Sequence, residues 1–248
     1  MKSYIISIIT VMLVGMTVIL FAFKGTSKPV ETKANGTTLI ELFTSEGCSS
    51  CPAADRTVAE LQNTYQDEVL VLCYHVDYWN YLGWKDVFSS AENSARQKYY
   101  TGIFKQDGAY TPQAIINGKR ECVGSDKGTL LNAIRNGGIN NGALQLKATQ
   151  KVNRVDISYT CSAVNTNEQL ILCLVQKQSI TKVGNGENGG RTLNHINIVR
   201  TFTQVATTKN EAILTIPGGF NKSEYFVAGF VQNINAGVVS IISKAAID

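Results

Sequence analysis

Apolar residues in the first half of the chain form two continuous runs with a helix-spaced pattern between them. The runs cover residues 37–43 and 69–76, and apolar side chains at successive positions are expected of strands that are buried on both faces. Residues 52–65 carry apolar side chains at helical spacing. A strand, a crossover helix and a second strand form a βαβ unit, so we predict parallel strands and a right-handed connection.

The rest of this half reads as a helix, a hairpin and a second helix. A helical pattern covers residues 89–100, and an Asn-Gly pair predicts a tight turn between antiparallel strands at 113–117 and 119–123. Another helical pattern over 126–135 ends at a Gly-Gly pair. Together with the βαβ unit, these elements predict an α/β domain over residues 37–138.

The second half changes to short alternating segments that are separated by turn signals. Seven strands are predicted over residues 143–150, 154–161, 169–175, 195–203, 211–216, 225–232 and 238–243. Short strands at such spacing indicate an antiparallel sandwich. We therefore predict an all-β, sandwich-like domain over residues 142–248, after the α/β domain.

The N-terminus carries a segment that is set apart from both domains. Residues 4–23 form an apolar run of the length that spans a bilayer, with no clear cleavage site after it. We expect residues 1–24 to be a membrane anchor or a signal segment and residues 25–36 to be a polar linker. The expected location is outside the cytoplasm, in the cell envelope or periplasm, although lysines beyond the run favour the opposite orientation.

The balance of charge excludes one class of partner. The chain has 23 basic and 19 acidic side chains, a net charge of +4, and without Lys2 and Lys24 of the N-terminal segment the net charge is +2. A nucleic-acid-binding protein would show a concentrated basic face. We therefore expect no nucleic-acid partner, and contact with the membrane only through the N-terminal segment.

Cys48 and Cys51 carry the candidate chemistry. They are separated by Ser49 and Ser50 and lie between the first predicted strand and the first predicted helix. Unpaired N–H groups and the dipole at a helix N-terminus favour a thiolate, so Cys48 is the expected exposed nucleophile and Cys51, one turn inside, the resolving thiol. The motif alone leaves open a structural disulfide or half of a zinc site. We expect no metal, because further zinc ligands would have to come from scattered positions.

Titratable and aromatic residues follow the second predicted strand. His75 and Asp77 lie at its end, before an aromatic loop that contains Trp79 and Trp84. We expect one of the two titratable residues near the dithiol, where it would take or give a proton during exchange. The alternative is that His75 is a structural residue beside the tryptophans. The aromatic loop is either a partner-binding wall or a lid on the core.

A glycine-rich loop in the second half holds one of the two histidines of the chain. Residues 183–195 lack the spacing of a phosphate-binding loop and lie in a β context. We expect an ordered loop in which Glu187, Arg191, His195 and Arg200 form a polar network that docks against the dithiol face. The alternative is a solvent-facing loop with a structural ion pair.

The order of elements, the dithiol before the first helix and Thr111-Pro112 before the third strand resemble the thioredoxin superfamily over residues 37–137. In that superfamily the proline follows a cis peptide bond and packs beside the dithiol. The resemblance implies that Pro112 is its counterpart and that Thr111 presents backbone groups to a bound partner. It also favours a redox or thiol-linked function more strongly than the dithiol does alone.

Four longer phrases resemble a family of secreted bacterial thioredoxin-like proteins that is classified only as a domain of unknown function. The phrases are ELFTSEGCSSCPAAD, YHVDYWNYLGWKD, YTPQAIINGK and GENGGRTLNHINIVR, and the resemblance covers residues 38–245. It implies the fold and export, but no activity. Cys73 and Cys122 depart from the family pattern and are either inert buried thiols or an extra disulfide. For Cys161 and Cys173, on strands that a predicted turn connects, a disulfide and free thiols both stay open.

We therefore expect a thiol-disulfide oxidoreductase of the cell envelope that acts on protein thiols or disulfides through Cys48 and Cys51. It would need no organic cofactor, and a redox partner in the membrane is a further expectation. The alternative is an exported partner- or ligand-binding module on the same scaffold, with a structural dithiol. The direction of electron flow stays open, because Ser49-Ser50 matches neither the reducing nor the oxidising dipeptides of the superfamily.

Overall fold

The structure is a computed structural model that describes residues 36–139, 144–161 and 166–248. The predicted anchor or signal segment at 1–24 and the linker up to residue 35 lie outside the described residues. Within those described ranges, no helix is both long and apolar enough to cross a membrane.

Seven elements form the first half in the predicted order. They are β1 (Thr38–Thr44), α1 (Cys51–Tyr65), β2 (Val69–His75), α2 (Ala91–Ile103), β3 (Gln113–Ile116), β4 (Arg120–Val123) and α3 (Lys127–Asn136). β1 and β2 are parallel, and β3 and β4 form an antiparallel hairpin, as predicted. β3 also pairs antiparallel with β1. Ser90 begins α2, because its hydroxyl accepts a hydrogen bond from the backbone N–H of Asn93.

The seven strands predicted for the second half are present. They are β5 (Leu144–Gln150), β6 (Arg154–Cys161), β7 (Glu168–Lys182), β8 (Thr192–Ala206), β9 (Glu211–Thr215), β10 (Tyr225–Asn233) and β11 (Val239–Ala245). β7 and β8 have 15 residues each. They exceed the predicted segments because their pairing continues until Lys182 lies opposite Thr192.

Both halves contribute to one sheet, which differs from the predicted pair of separate domains. Its eight strands run in the order β11-β10-β7-β8-β2-β1-β3-β4. β8 lies parallel to β2, with Cys73 opposite Ile198, so β8 pairs with an edge of β2 that would otherwise be exposed. The described residues from 36 onward accordingly belong to one compact unit, and the large sheet contains strands from both sides of the predicted boundary.

A second, smaller sheet packs on the large one. It is antiparallel and has the strand order β5-β6-β9. Val155 and Ile157 of this sheet share a buried core with Leu172 of β7 and Val227 of β10. The strands of the second half therefore form two sheets with a common core, and one of these sheets also belongs to the first half.

The strand order of the two sheets places the cysteines whose pairing the sequence left open. Cys161 lies in the small sheet and Cys173 in the large one, so they do not face each other across a hairpin. Cys73 of β2 and Cys122 of β4 are free thiols with two strands between them. At about 4.8 Å per strand they lie about 14 Å apart. A disulfide cannot span that distance.

A buried ion pair of the first half contacts residues of the second half inside the core. Arg96 of α2 donates from Nε to Glu41 of β1 at 2.5 Å, and Glu41 also accepts a hydrogen bond from the hydroxyl of Tyr100. Gln232 of β10 donates to that hydroxyl at 2.7 Å. The guanidinium carbon lies 5.2 Å from the centre of the Phe230 ring. Because both charged side chains are buried, each depends on the other for compensation of its charge.

Candidate functional site

The two cysteines lie where β1 leads into α1. The connecting turn is closed by a hydrogen bond from the Cys48 N–H to the Ser45 carbonyl at 3.2 Å, and α1 begins at Cys51. Pro52 occupies the first turn of the helix, where its missing N–H costs no hydrogen bond. Cys51 is fully buried, and Cys48 is only 1% exposed. This corrects the expectation of an exposed nucleophile, because the glycine-rich loop of the second half contacts the dithiol turn.

The two thiols have opposite acidities. A hydrogen bond from the Cys51 thiol lowers the pKa of Cys48 to about 6 against the effect of burial, and the Ser50 hydroxyl, 3.3 Å from Cys48 Sγ, lowers it further. Burial raises the pKa of Cys51, and the neighbouring Cys48 and the Asp55 carboxylate raise it further. At neutral pH, Cys48 is therefore a thiolate and Cys51 its hydrogen-bond donor. Such a difference separates a nucleophile from a resolving thiol.

The rate of Cys48 alkylation should follow this low pKa. Because the thiolate is the reactive form, alkylation of the reduced protein by iodoacetamide should rise with pH, reach half its maximum at about pH 6 and level off above neutrality. In Cys51→Ala, which lacks the donating thiol, the midpoint should move up towards the ordinary thiol value of about 8.5. Mass spectrometry of the Cys48 peptide measures both profiles. A midpoint that the substitution leaves unchanged would contradict the role of this hydrogen bond.

Thr111 and Pro112 lie beside the dithiol, and the peptide bond between them is cis, as the resemblance implies. The carbonyl oxygen of Thr111 lies 3.8 Å from Cys48 Sγ. The indole N–H of Trp79 donates to the Thr111 hydroxyl at 2.8 Å. The structure thus brings three of the predicted supporting residues together at the nucleophile.

His75 and Asp77 make their side-chain hydrogen bonds with residues other than the two cysteines. His75 is fully buried, and its Nδ1 lies 2.6 Å from Asp86 Oδ2. Asp77 accepts a hydrogen bond from the Ser94 hydroxyl at 2.5 Å. These bonds tie both residues to the loop and the helix that follow β2. The carboxylate beside the resolving thiol belongs to Asp55.

Asp55 places a carboxylate beside Cys51. It follows Cys51 by four residues, one turn along α1, and its charge contributes to the raised pKa of that thiol. Its Oδ1 accepts a hydrogen bond from the Thr44 hydroxyl at 2.9 Å, and the residue is buried. The sequence does carry a signal for Asp55, because residues four apart share one face of a helix.

Glu46, in the turn before Cys48, is a second buried carboxylate. Its Oε2 accepts a hydrogen bond from the indole of Trp84 at 2.7 Å, and its backbone N–H donates to Asp86 at 2.9 Å. Trp84 also packs on the glycine-rich loop, where a Cβ on Gly184 would lie 2.9 Å from the indole ring. A glycine at this position therefore allows the close approach of loop and tryptophan.

His195 of β8 lies between the two carboxylates. Its Nε2 is 3.2 Å from Glu46 Oε1, and its Nδ1 is 3.5 Å from Asp55 Oδ2. Burial alone would lower the pKa of His195, but Asp55 and Glu46 raise it to about 9, so the side chain is an imidazolium at neutral pH. Its ring meets the His75 ring edge to face, with centroids 4.8 Å apart. In the part of the chain that the structure describes, no three His, Cys, Asp or Glu side chains are arranged to hold a metal ion.

The glycine-rich loop between β7 and β8 docks on the dithiol turn. Asn188 is fully buried and donates from Nδ2 to the carbonyl oxygens of Glu46 and Cys48, each at 2.8 Å. Glu187 accepts a hydrogen bond from the Ser49 N–H at 2.9 Å. Hydrogen bonds from Ser49 lower the pKa of the Glu187 carboxyl. Asn188, which makes two of these contacts, is a residue that sequence reasoning missed.

The two arginines predicted for this network differ in position. Arg191 supports the loop from within, because its Nη1 donates to Asn188 Oδ1 at 2.9 Å. Arg200 lies apart from it: its Nη1 donates to Gln176 Oε1 at 2.6 Å, and its guanidinium carbon lies 5.1 Å from the centre of the Phe88 ring. Three of the four predicted residues of the second half thus meet around the dithiol turn.

The fold and the site define a mixed α/β protein with one large sheet and a Cys-x-x-Cys turn at the N-terminus of a helix. The chain belongs to the family described as "Protein of unknown function (DUF1223)", whose sequence model matches residues 39–232. This confirms the expected membership in a family of unknown function.

The solved structures that are similar to this chain include one from Agrobacterium tumefaciens and one from Porphyromonas gingivalis. Protein AGR_C_4864 from Agrobacterium tumefaciens is 26% identical, the match covers 85% of this chain and 95% of that one, and the TM-score is 0.64. HBP35 of Porphyromonas gingivalis is 15% identical over 86% of this chain and 76% of that one, with a TM-score of 0.60. The second likeness is one of fold alone. Among curated proteins, none matches.

Proposed function

We propose that this protein is a thiol-disulfide oxidoreductase whose active site is the Cys48–Cys51 pair on a thioredoxin-like unit. The observation that carries the proposal is the opposed acidity of two adjacent thiols: the pKa of Cys48 is lowered to about 6 and that of Cys51 is raised. A purely structural disulfide requires no such difference. The carbonyl oxygen of Thr111, which lies 3.8 Å from Cys48 Sγ and places a backbone acceptor beside the nucleophile, supports the same function.

The reaction takes two steps. In the reducing direction, the Cys48 thiolate attacks one sulfur of a partner disulfide, so that a Cys48–partner S–S bond forms, the partner's S–S bond breaks and its other sulfur leaves as a thiolate. Cys51 then gives its proton to Asp55 and attacks Cys48 Sγ, which forms the Cys48–Cys51 disulfide and releases the second partner sulfur. The released thiolates take up protons, one of them from Asp55. The dithiol loses two electrons, the partner gains them, and the reverse sequence oxidises a partner dithiol.

The surroundings of the dithiol support a protein partner. Ser49 and Ser50 are exposed beside the buried sulfur, and on the adjacent aromatic loop Tyr81 is 80% exposed and Tyr78 38% exposed. Tyrosine side chains offer large contact areas to a polypeptide. The steps above require no organic cofactor. The apolar run at residues 4–23 supports a location in the cell envelope, where a membrane redox partner would restore the dithiol or the disulfide.

Thiol trapping in a cell that exports the chain tests the proposal. Full-length Cys51→Ser should accumulate mixed disulfides through Cys48, because the resolving thiol is missing, and the Cys48→Ser/Cys51→Ser variant should accumulate none. Cys122→Ser in the Cys51→Ser background is the matched control. It removes a thiol that lies outside the site and has a pKa raised to about 11. The adducts should persist in this variant. If Cys51→Ser forms no adducts, and the intact protein neither reduces nor oxidises a test disulfide, the proposal fails.

The near-complete burial of Cys48 favours a second candidate, an exported partner- or ligand-binding module in which the dithiol is structural. The cysteine pair would then only hold the turn, and partners would bind without thiol exchange. Partner capture by the Cys48→Ser/Cys51→Ser variant separates the two candidates. A binding module would keep its partners in that variant, whereas an oxidoreductase would lose the covalent adducts.

A further inference from the structure

Glu46, Asp55 and His195 form a closed group of charges at the dithiol, which we name the carboxylate–imidazole cluster. All three side chains are buried. The ion pairs of both carboxylates, among the described residues, are with the single imidazole of His195. A buried carboxylate stays ionised only when a positive charge or hydrogen bonds compensate it. His195 therefore supplies the positive charge for two carboxylates at once.

The cluster is connected to the resolving thiol through Asp55. This residue has Cys51 one turn away on α1 and His195 Nδ1 3.5 Å away on the other side. The Nδ1 atom is buried and has no hydrogen-bond partner in the described part of the chain. A small movement of either side chain brings Nδ1 into hydrogen-bond range of Asp55 Oδ2. Asp55 thus lies between Cys51, which must lose a proton in the resolving step, and the positive charge of His195.

The titratable groups around His195 come from the dithiol turn, α1, β2 and the loop after β2. Glu46 comes from the dithiol turn, Asp55 from α1 and His75 from β2. Asp86 contacts His75, with its Oδ2 atom 2.6 Å from His75 Nδ1. Within the described residues, the Asp86 side chain makes its hydrogen bonds with His75 and with the backbone N–H groups of Glu46 and Phe88. The charge of His195 therefore serves the two carboxylates at the dithiol.

We propose that His195 is a positioning residue for the resolving step: its ring, which lies 3.2 Å from Glu46 and 3.5 Å from Asp55, orients the Asp55 carboxylate so that Asp55 accepts the proton of Cys51. As the proton leaves Cys51, the Cys48–Cys51 bond forms, the bond from Cys48 to the partner breaks, and the partner sulfur leaves as a thiolate that takes up the proton. This inference rests on the proposed function. It makes β8, a strand of the second half, part of the active site.

A chromogenic aromatic disulfide separates the two steps in the reduced full-length protein. Attack by Cys48 releases one coloured thiolate, and attack by Cys51 on the resulting mixed disulfide releases a second one. Cys51→Ser lacks the second phase and provides the baseline for slow release from other cysteines. In His195→Gln, the second phase should slow at least about tenfold at neutral pH. The acidic limb of its pH profile should move up by about 1 to 3 units, while the first phase stays within about twofold.

Arg200→Gln is the matched control. It removes a charged side chain from the same strand, and its hydrogen bond goes to Gln176 rather than to the cluster. Both phases should keep the rates and the pH profiles of the unsubstituted protein. If Arg200→Gln and His195→Gln slow the second phase equally, the effect is a general one of the strand and the inference is wrong.

A spectroscopic measurement does not depend on turnover. The imidazole nitrogens of His195 should titrate with a pKa of about 9 in the unsubstituted protein, and in Asp55→Asn this pKa should fall by at least about one unit. An unchanged titration would overturn the inference even if both variants turn over slowly.

The failure of this inference differs from the failure of the proposed function. If no mixed disulfide forms on Cys48, the proposed function is lost. If the mixed disulfide forms and His195→Gln resolves it as fast as the unsubstituted protein at every pH, the oxidoreductase function stands and the role of His195 is refuted.

Discussion

Replacing Arg96 with methionine is expected to lower the free energy of unfolding by about 3 to 5 kcal/mol. The substitution removes the only ion-pair partner of Glu41 among the described residues, and it leaves a fully buried carboxylate with the Tyr100 hydroxyl as a hydrogen-bond donor. It also removes the contact of the guanidinium with the Phe230 ring. Urea unfolding of the full-length protein, compared at equal m-values, measures the loss.

Two further variants show whether the buried charge is the cause. Arg96→Met/Glu41→Leu should recover part of the stability, because no lone charge remains in the core. Arg154→Met is the matched control, since its ion pair with Asp156 is largely exposed, and it should change the stability by less than about 0.5 kcal/mol. A cost for Arg96→Met below about 1 kcal/mol, or no recovery in the double variant, would contradict this account of the core.

Replacing Asn188 with alanine is expected to destabilise the protein by about 2 to 4 kcal/mol and to speed up alkylation of Cys48. The side chain donates to two buried carbonyl groups, those of Glu46 and Cys48. The Glu46 carbonyl left unpaired costs about 1 to 3 kcal/mol, and the lost bond to the Cys48 carbonyl, which keeps the Cys51 N–H as a donor, costs about 1 kcal/mol more. Without these bonds the loop no longer holds the dithiol turn, so a reagent reaches the sulfur more easily. Urea unfolding and the alkylation rate at a fixed pH measure the two effects.

Asn185→Ala is the control for this prediction. Asn185 is an exposed residue of the same loop, and its truncation should change the stability by less than about 0.5 kcal/mol and leave the alkylation rate unaltered. If Asn188→Ala behaves like Asn185→Ala, the loop does not hold the turn through Asn188.

The sequence predicts local elements well, because burial on both faces and helical spacing are properties of neighbouring residues. β1, α1 and β2 follow from two apolar runs with a helical pattern between them, and the β3–β4 hairpin follows from its Asn-Gly turn. The parallel pairing of β8 with β2 does not follow from these patterns. Hydrophobic periodicity shows which face of a strand is buried but not which distant strand occupies its edge. The large sheet therefore contains strands from both sides of the predicted domain boundary.

For the candidate site, the sequence predicts the residues whose chemistry shows in a short motif. Cys48 and Cys51 are marked by their spacing, whereas Thr111-Pro112 is marked by the resemblance to the thioredoxin superfamily. Asp55 was missed because a carboxylate on a helix is usually a solvated residue, although its spacing from Cys51 placed it on the same face. Asn188 was missed because asparagine among glycines is typical of a turn. Its role depends on contacts with a segment that is distant in the sequence.

The loop that covers the dithiol comes late in the sequence, so the ribosome makes the two cysteines before it makes this loop. Asn188 lies 140 residues after Cys48, so a ribosome that adds about 5 to 20 residues per second makes the cysteines about 7 to 28 s before it makes their cover. During that interval the chain already holds Ser50, Cys51 and Thr111, the residues whose hydrogen bonds lower the pKa of Cys48 in the folded protein, but not the loop that buries the sulfur. The nascent chain therefore carries its nucleophile without a cover until residues 183–195 have been made.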